Sequence, residues 1–220
     1  MLNLFDVFDP LTKYLALNWF SCLIGMLLIP QIYWMKSSRL IMFMCMLLMV
    51  LWGEFKILMK NKFNMNNMLY FLGLFIYILV NNFMGLFPYI FTSSSHLVFS
   101  LIFSLSMWMG VMLFGWIKNI QFMFIHLVPN GTPFSLMFFM VFIETLSNII
   151  RPITLSIRLT ANMIAGHLLL ILLSSHIPGV VTYLFILIIQ LLLLMLEVFV
   201  SMIQAYVFTV LMLLYLKETN

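Results

Sequence analysis

From position 63 to position 117 the chain runs for fifty-five residues without a single Asp, Glu, Lys or Arg. A stretch of that length has too little polar surface to cover a water-soluble globule. It is also far longer than the about 20 apolar residues that cross a bilayer once. The rest of the chain is similar: of 220 residues, 65% are hydrophobic and 7% charged, and the mean hydropathy is +1.18. Soluble domains average about 45–50% apolar and about 25% charged. These values exclude a cytosolic enzyme, a secreted disulfide scaffold and a disordered tail. They imply an all-α polytopic membrane protein forming a single membrane domain over 1–220, without a sizeable aqueous part.

The net charge of +4 would suggest nucleic acid in a soluble protein. Here the basic residues form no cluster interleaved with aromatics, so no nucleic-acid partner is expected. Cys22 and Cys45 sit in apolar runs and read as small buried hydrophobes. The opening MLNLFDVFDP carries Asp6 and Asp9 without a basic n-region, so it is not expected to be a secretory signal, nor is it Arg-rich like a transit peptide. Insertion close to the site of synthesis is the expectation. The usage of 21 Met and 23 Phe suggests an AT-rich, organelle-like genome.

Charge spacing divides the chain into spans. The first is 14–35. The apolar run 40–53 is followed by Glu54, Lys56, Lys60 and Lys62, so 40–60 reads as an interfacial amphipathic helix lying along one membrane face. Spans at 66–87 and 97–117 are separated by Pro88 and a short polar loop, Thr92-Ser93-Ser94-Ser95-His96. After the turn Pro129-Asn130-Gly131-Thr132-Pro133 come two long segments, 134–173 and 179–216, joined as a hairpin. Five crossings put Lys36, Arg39, Lys56, Lys60, Lys62, Lys118 and Lys217 on one side and Lys13 alone on the other. The positive-inside rule then places the C-terminus in the cytoplasm or its organellar equivalent. Were 40–60 to cross, that bias would weaken.

Five ionisable residues fall inside the last two segments: Glu144, Arg151, Arg158, His167 and Glu197. A charge at the bilayer centre costs about 2.5–3.5 kcal/mol or more, so each is a functional candidate by default. For Glu144, near a helix start, reaching to the membrane face is the alternative. For Arg158 apolar sequence continues well beyond, which disfavours that explanation. Glu144, Arg151 and Arg158 recur every seven residues, a drift of about 20° per step on a straight helix. Asn148 and Asn162 join the same stripe. Gln190, Glu197 and Gln204 form a second seven-residue stripe, with Ser201 between. Lipid cannot face such seams, so they border protein or a hydrated path. A forty-residue helix would rise about 60 Å, twice the about 30 Å hydrocarbon core. The hairpin must therefore be strongly tilted, or broken at Pro152.

The segment Ser156-Ile157-Arg158-Leu159-Thr160-Ala161-Asn162-Met163-Ile164-Ala165-Gly166-His167 resembles the signature of the subunit a family of rotary F-type ATP synthases, in its mitochondrially encoded form. Leu196-Glu197 with Met202-Ile203-Gln204-Ala205-Tyr206-Val207-Phe208-Thr209, and Asn81-Asn82-Phe83-Met84-Gly85-Leu86-Phe87-Pro88-Tyr89, are similar to other parts of it. The likeness is most specific from Phe134 to Tyr215 and looser over the first 60 residues.

The resemblance implies a proton-conducting stator in the mitochondrial inner membrane, with its N-terminus in the intermembrane space and C-terminus in the matrix. Its partners would be a homo-oligomeric c-ring and other membrane-sector and peripheral-stalk subunits. Two offset half-channels would deliver protons to and from the ring. Arg158 matches the family's essential arginine, Glu144 a matrix-side exit carboxylate, and His167 with Glu197 an entry pair. Asn162 and Gln204 would be polar neighbours, and Asn148 is a further half-channel candidate. Bacterial relatives exchange acid and imidazole between the two entry positions. Arg151, Gln190, Ser201, His96 and His176 are weaker candidates, the two histidines reading mainly as solvated loop residues. His126 reads as structural.

No phosphate-cradling glycine loop and no metal-spaced His/Cys cluster occurs, so no cofactor or metal is expected and ATP chemistry would belong to other subunits. Two rivals are a self-contained secondary proton or ion transporter and a structural subunit of a respiratory complex. The first usually shows internal repeats, which are absent from this sequence. The second would want a facing His pair for haem.

Overall fold

The computed structural model describes residues 5–13, 15–27, 29, 33–59, 67–87, 89–128, 133–175 and 180–219. Lys60, Lys62, Pro88, most of the Pro129–Pro133 turn and His176 lie outside the described residues. The secondary structure is helical: α1 (Ser21–Leu27), α2 (Arg39–Leu58), α3 (Met68–Gly85), α4 (Leu97–Lys118), α5 (Ile120–His126), α6 (Phe134–Ser175) and α7 (Val180–Glu218).

Five of these, α2, α3, α4, α6 and α7, are long and apolar enough to cross a membrane. The helix described within 14–35 is shorter, a 3-10 turn Leu17–Phe20 running into α1. The 40–60 segment forms α2, opened by Ser38, whose hydroxyl accepts from the Ile41 amide at 3.4 Å. By length and composition α2 could span. Its inner side holds Phe55, fully buried, with Leu48, Leu51, Trp52 and Leu58 packed nearby. The Tyr206 hydroxyl donates to the Glu54 carboxylate at 3.1 Å and ties α2 to α7.

Pro152 does not break α6. The helix runs through it over 42 residues, because a proline removes one backbone bond while its neighbours keep theirs, and buried packing holds the turn. At 1.5 Å per residue α6 and α7 are about 63 and 58 Å long, well beyond an upright crossing. The short α5 between α4 and α6 was not anticipated.

Packing is inside-out relative to a soluble protein. Phe134, Phe138, Leu184, Phe185 and Leu192 stand exposed, whereas Asn82, Thr92, Ser94, Ser104, Ser156, Thr160, Glu197, Ser201, Gln204 and Thr209 are buried. The inward stripe of α4 is Ser100, Ser104, Met107, Val111 and Gly115, the three- and four-residue spacing of one helix face. Small residues there let α4 lie close to α6. Each serine hydroxyl donates to a carbonyl three residues back, Ser100 to Leu97 at 3.1 Å and Ser104 to Leu101 at 3.3 Å. The helix satisfies its own polar groups in this way.

The Thr92–His96 run also departs from a solvated loop. Ser93–Ser95 form a buried 3-10 turn against α6, α3 and α4. The Thr92 hydroxyl donates to Ser95 Oγ at 3.1 Å, and that hydroxyl donates to the Thr92 carbonyl at 2.7 Å. His96 is half-buried between the Trp19 and Phe91 rings, at 5.1 and 5.3 Å.

Candidate functional site

The antiparallel packing of α6 on α7 sorts the two polar seams into separate groups. Towards the hairpin end, Asn162 donates to Gln204 Oε1 at 3.0 Å. This bond joins one seam to the other. Around it lies a cavity of about 290 Å³ lined by Asn82, Asn162, Gly166, Glu197, Ser201 and Gln204 among apolar neighbours. It has room for several waters. Glu197 is only 8% exposed, and neither carboxylate oxygen has a protein partner.

Gly166 makes this placement possible. A Cβ built on it would stand 2.8 Å from Glu197 Cδ and Oε1, so the carboxylate occupies the space that any side chain at 166 would fill. His167, one residue on, has its ring near the Gly85 backbone, while its buried Nε2 has no hydrogen-bond partner. No hydrogen bond joins His167 to Glu197 among the described residues. Gln190 is half-buried in a shallow hollow nearer the hairpin turn, with Ser174 and Leu187.

Asn82 was missed in the sequence. It lies on α3 and is 1% exposed, with both amide atoms unpartnered. Two consecutive asparagines in an apolar span were the available signal. Nothing in the spacing, however, showed that α3 meets the last two helices at that level.

At the other end of the seam, Arg151 is held between two carboxylates. Its Nη1 donates to Glu218 Oε2 at 2.6 Å, and its Nη2 is 3.8 Å from Glu144 Oε1. The guanidinium also lies over the Tyr215 ring at 5.1 Å. A second cavity, about 210 Å³, adjoins this cluster and is lined by Asn148, Arg151, Tyr215, Glu218, His126 and Trp108 among others. Glu218 is a further residue the sequence reading passed over, as a charge at the end of a span. Arg151 acts as a clamp on the end of α7. Arg151→Gln is expected to lower the thermal midpoint only slightly, since pairs this exposed contribute only about 0.2–1 kcal/mol. An unchanged thermal midpoint would contradict the clamp.

Arg158 lies between the two groups. From 151 to 162 the helix rises about 16 Å, and Leu155, Leu159, Phe208, Met212 and Leu213 fill the interior there, all nearly or fully buried. Arg158 itself is exposed on the outside of α6. It forms no ion pair among the described residues. His96 belongs to neither cavity lining, and no group of three or more His, Cys, Asp or Glu among the described residues could hold a metal.

The Asn162–Gln204 contact is expected to register in a double-mutant cycle. Asn162→Ala and Gln204→Ala should be non-additive by about 0.5–1.5 kcal/mol in stability, the net worth of one hydrogen bond. Additive losses would mean the two side chains do not interact.

An apolar exterior around an interior that collects polar side chains defines a multi-pass helical membrane protein whose last two helices are long and bring buried polar groups together. Comparison with known proteins narrows this. The family described as ATP synthase A chain matches residues 15–217, and by that match the chain belongs to this family. It is 54% identical to ATP synthase subunit a of Drosophila yakuba over 224 residues, covering 100% of both chains. It is 54% identical to that of Locusta migratoria over 99% of each, and 51% identical to that of Aedes aegypti over 100% of each. Membership makes it one subunit of a larger ATP synthase assembly.

Proposed function

We propose that the chain is the proton-conducting stator subunit of the membrane sector, passing protons through two offset half-channels to and from a rotating c-ring. The observation that carries this reading is the pair of cavities separated by a buried apolar block, with Arg158 exposed on α6 between them. A water-filled route through the whole subunit would leak. Two blind routes that meet only at an external carboxylate oblige each proton to ride the ring.

In this scheme the cavity holding Glu197 is the entry path, with His167, Asn162, Gln204 and Ser201 along it and Gln190 towards its mouth. The cluster of Glu144, Asn148 and Glu218 borders the exit. Arginine stays protonated in proteins and is a fixed charge. Arg158 therefore favours the ionised form of a ring carboxylate opposite it and separates the two paths. An intramembrane charge exposed on a helix surface is expensive against lipid, which supports a protein partner covering that face. The excess of basic residues supports an N-terminus in the intermembrane space and a C-terminus in the matrix. The transmembrane potential supplies about 2.3 kcal/mol per charge per 100 mV.

The test is cross-linking in the assembled enzyme. A cysteine in place of Ile157, which is 46% exposed beside Arg158, is expected to form disulfides with cysteines placed near the ring carboxylate. Cys22→Ser and Cys45→Ser would serve as background. Absence of any cross-link from this face, with cross-links from the opposite face of α6, would refute the ring-facing assignment. A self-contained transporter would show no ring partner at all.

A further inference from the structure

We propose that the N-terminal turn Asp6–Phe8 is a fixed cover over the entry path, and that His96 is the positioning residue that holds it there. The turn is closed by its own backbone bonds, Phe8 N–H to the Phe5 carbonyl at 3.0 Å and Asp9 N–H to the Asp6 carbonyl at 3.2 Å. It is fastened to the body by the His96 ring, whose Nε2 is 3.0 Å from the Phe8 carbonyl oxygen. A carbonyl only accepts, so Nε2 carries the proton in this contact. The imidazole is fixed on both sides by Trp19 and Phe91, and its backbone carbonyl receives the first amides of α4, Phe99 at 3.1 Å and Ser100 at 3.4 Å. It therefore presents Nε2 in one direction.

The anchored residue then packs on His167, which adjoins the Glu197 cavity through its chain neighbour Gly166. The Phe8 ring meets the His167 ring edge-on, 6.3 Å between centroids and 87° between planes. The Nε2 of His167 is buried and unpartnered, and the Phe8 ring is part of what covers this imidazole. In this reading the cover lies over His167, beside the cavity of Asn82 and Glu197. This assignment rests on the entry-path reading of His167, but the cover itself is measured without it.

The experiment uses the intact, assembled enzyme in membranes. Diethyl pyrocarbonate acylates uncharged imidazole nitrogen, and peptide mass spectrometry gives the rate at each histidine. His96→Ala is expected to raise the modification rate of His167 about five-fold, the population change that one net hydrogen bond sets, and Phe8→Ala, which removes the covering ring itself, at least as much. The rate at exposed His126 should stay constant. His96→Gln, which keeps an N–H donor, should restore protection. An unchanged rate in Phe8→Ala would overturn the cover. A raised rate in Phe8→Ala with none in His96→Ala, or no rescue by glutamine, would overturn the anchoring role. Phe8→Ala also decides the question of the cover if His96→Ala fails to assemble. ATP synthesis measured on the same membranes reports separately on whether His167 carries protons.

Discussion

Replacing Arg158 with alanine is expected to abolish proton-driven ATP synthesis, at least about a hundred-fold below the unaltered enzyme, in a complex that still assembles. The size follows from what the residue does in the proposed cycle. Each proton transfer requires a ring carboxylate to lose its proton beside the stator, and a fixed cation opposite that carboxylate stabilises the ionised form. A hundred-fold corresponds to about 2.7 kcal/mol, a modest demand on a charge pair away from bulk water. Assembly should survive because the Arg158 side chain fills no core space and forms no ion pair among the described residues; the packing at this level is made by Leu155, Leu159, Phe208 and Met212.

Lysine is the more discriminating substitution. It keeps a positive charge but deprotonates readily when desolvated, so Arg158→Lys should also impair coupling and permit proton leak. The measurement is ATP synthesis in reconstituted vesicles, with passive proton uptake recorded in parallel. Near-normal synthesis in Arg158→Ala would sink the stator mechanism.

The second large effect is expected at Glu197. Glutamine has nearly the same shape, so Glu197→Gln should leave α6 and α7 packed and the complex intact. It removes a group able to take up and release a proton, a role worth about a hundred-fold or more in positioned proton transfer. Synthesis should fall by that order while heat stability stays unchanged.

Gly166 makes the claim sharper. An added Cβ meets the Glu197 carboxylate at 2.8 Å, and the flexible end of that side chain would have to move. Gly166→Ala is expected to lower synthesis less, about ten-fold, by displacing a group that is still present. The two changes act through one carboxylate, so the double variant should be little worse than Glu197→Gln alone. Full multiplication of the two losses would show that Gly166 acts elsewhere.

The class of the protein and its two polar seams are legible in the chain alone. Scarcity of charge in long apolar runs leaves only helices that satisfy their backbone internally. The seven-residue recurrence of Glu144, Arg151 and Arg158, and of Gln190, Glu197 and Gln204, puts each set on one side of one helix. Both are local properties, set by chain composition and by 3.6 residues per turn. The family resemblance on Ser156–His167 was equally local.

Which side chains meet depends on how the helices pack. Local spacing does not reveal that Arg151 is occupied by Glu218, 67 positions away, while Arg158 on the same stripe is left exposed. Nor does it show that Asn82 opens onto the Glu197 cavity, or that the serine run Ser93–Ser95 is buried against α6 instead of solvated. The continuity of α6 through Pro152 and the seating of Glu197 on Gly166 belong to the same class. Each depends on how far and at what level two helices pack. That is fixed by the summed contacts of whole faces, which no single stretch of sequence contains.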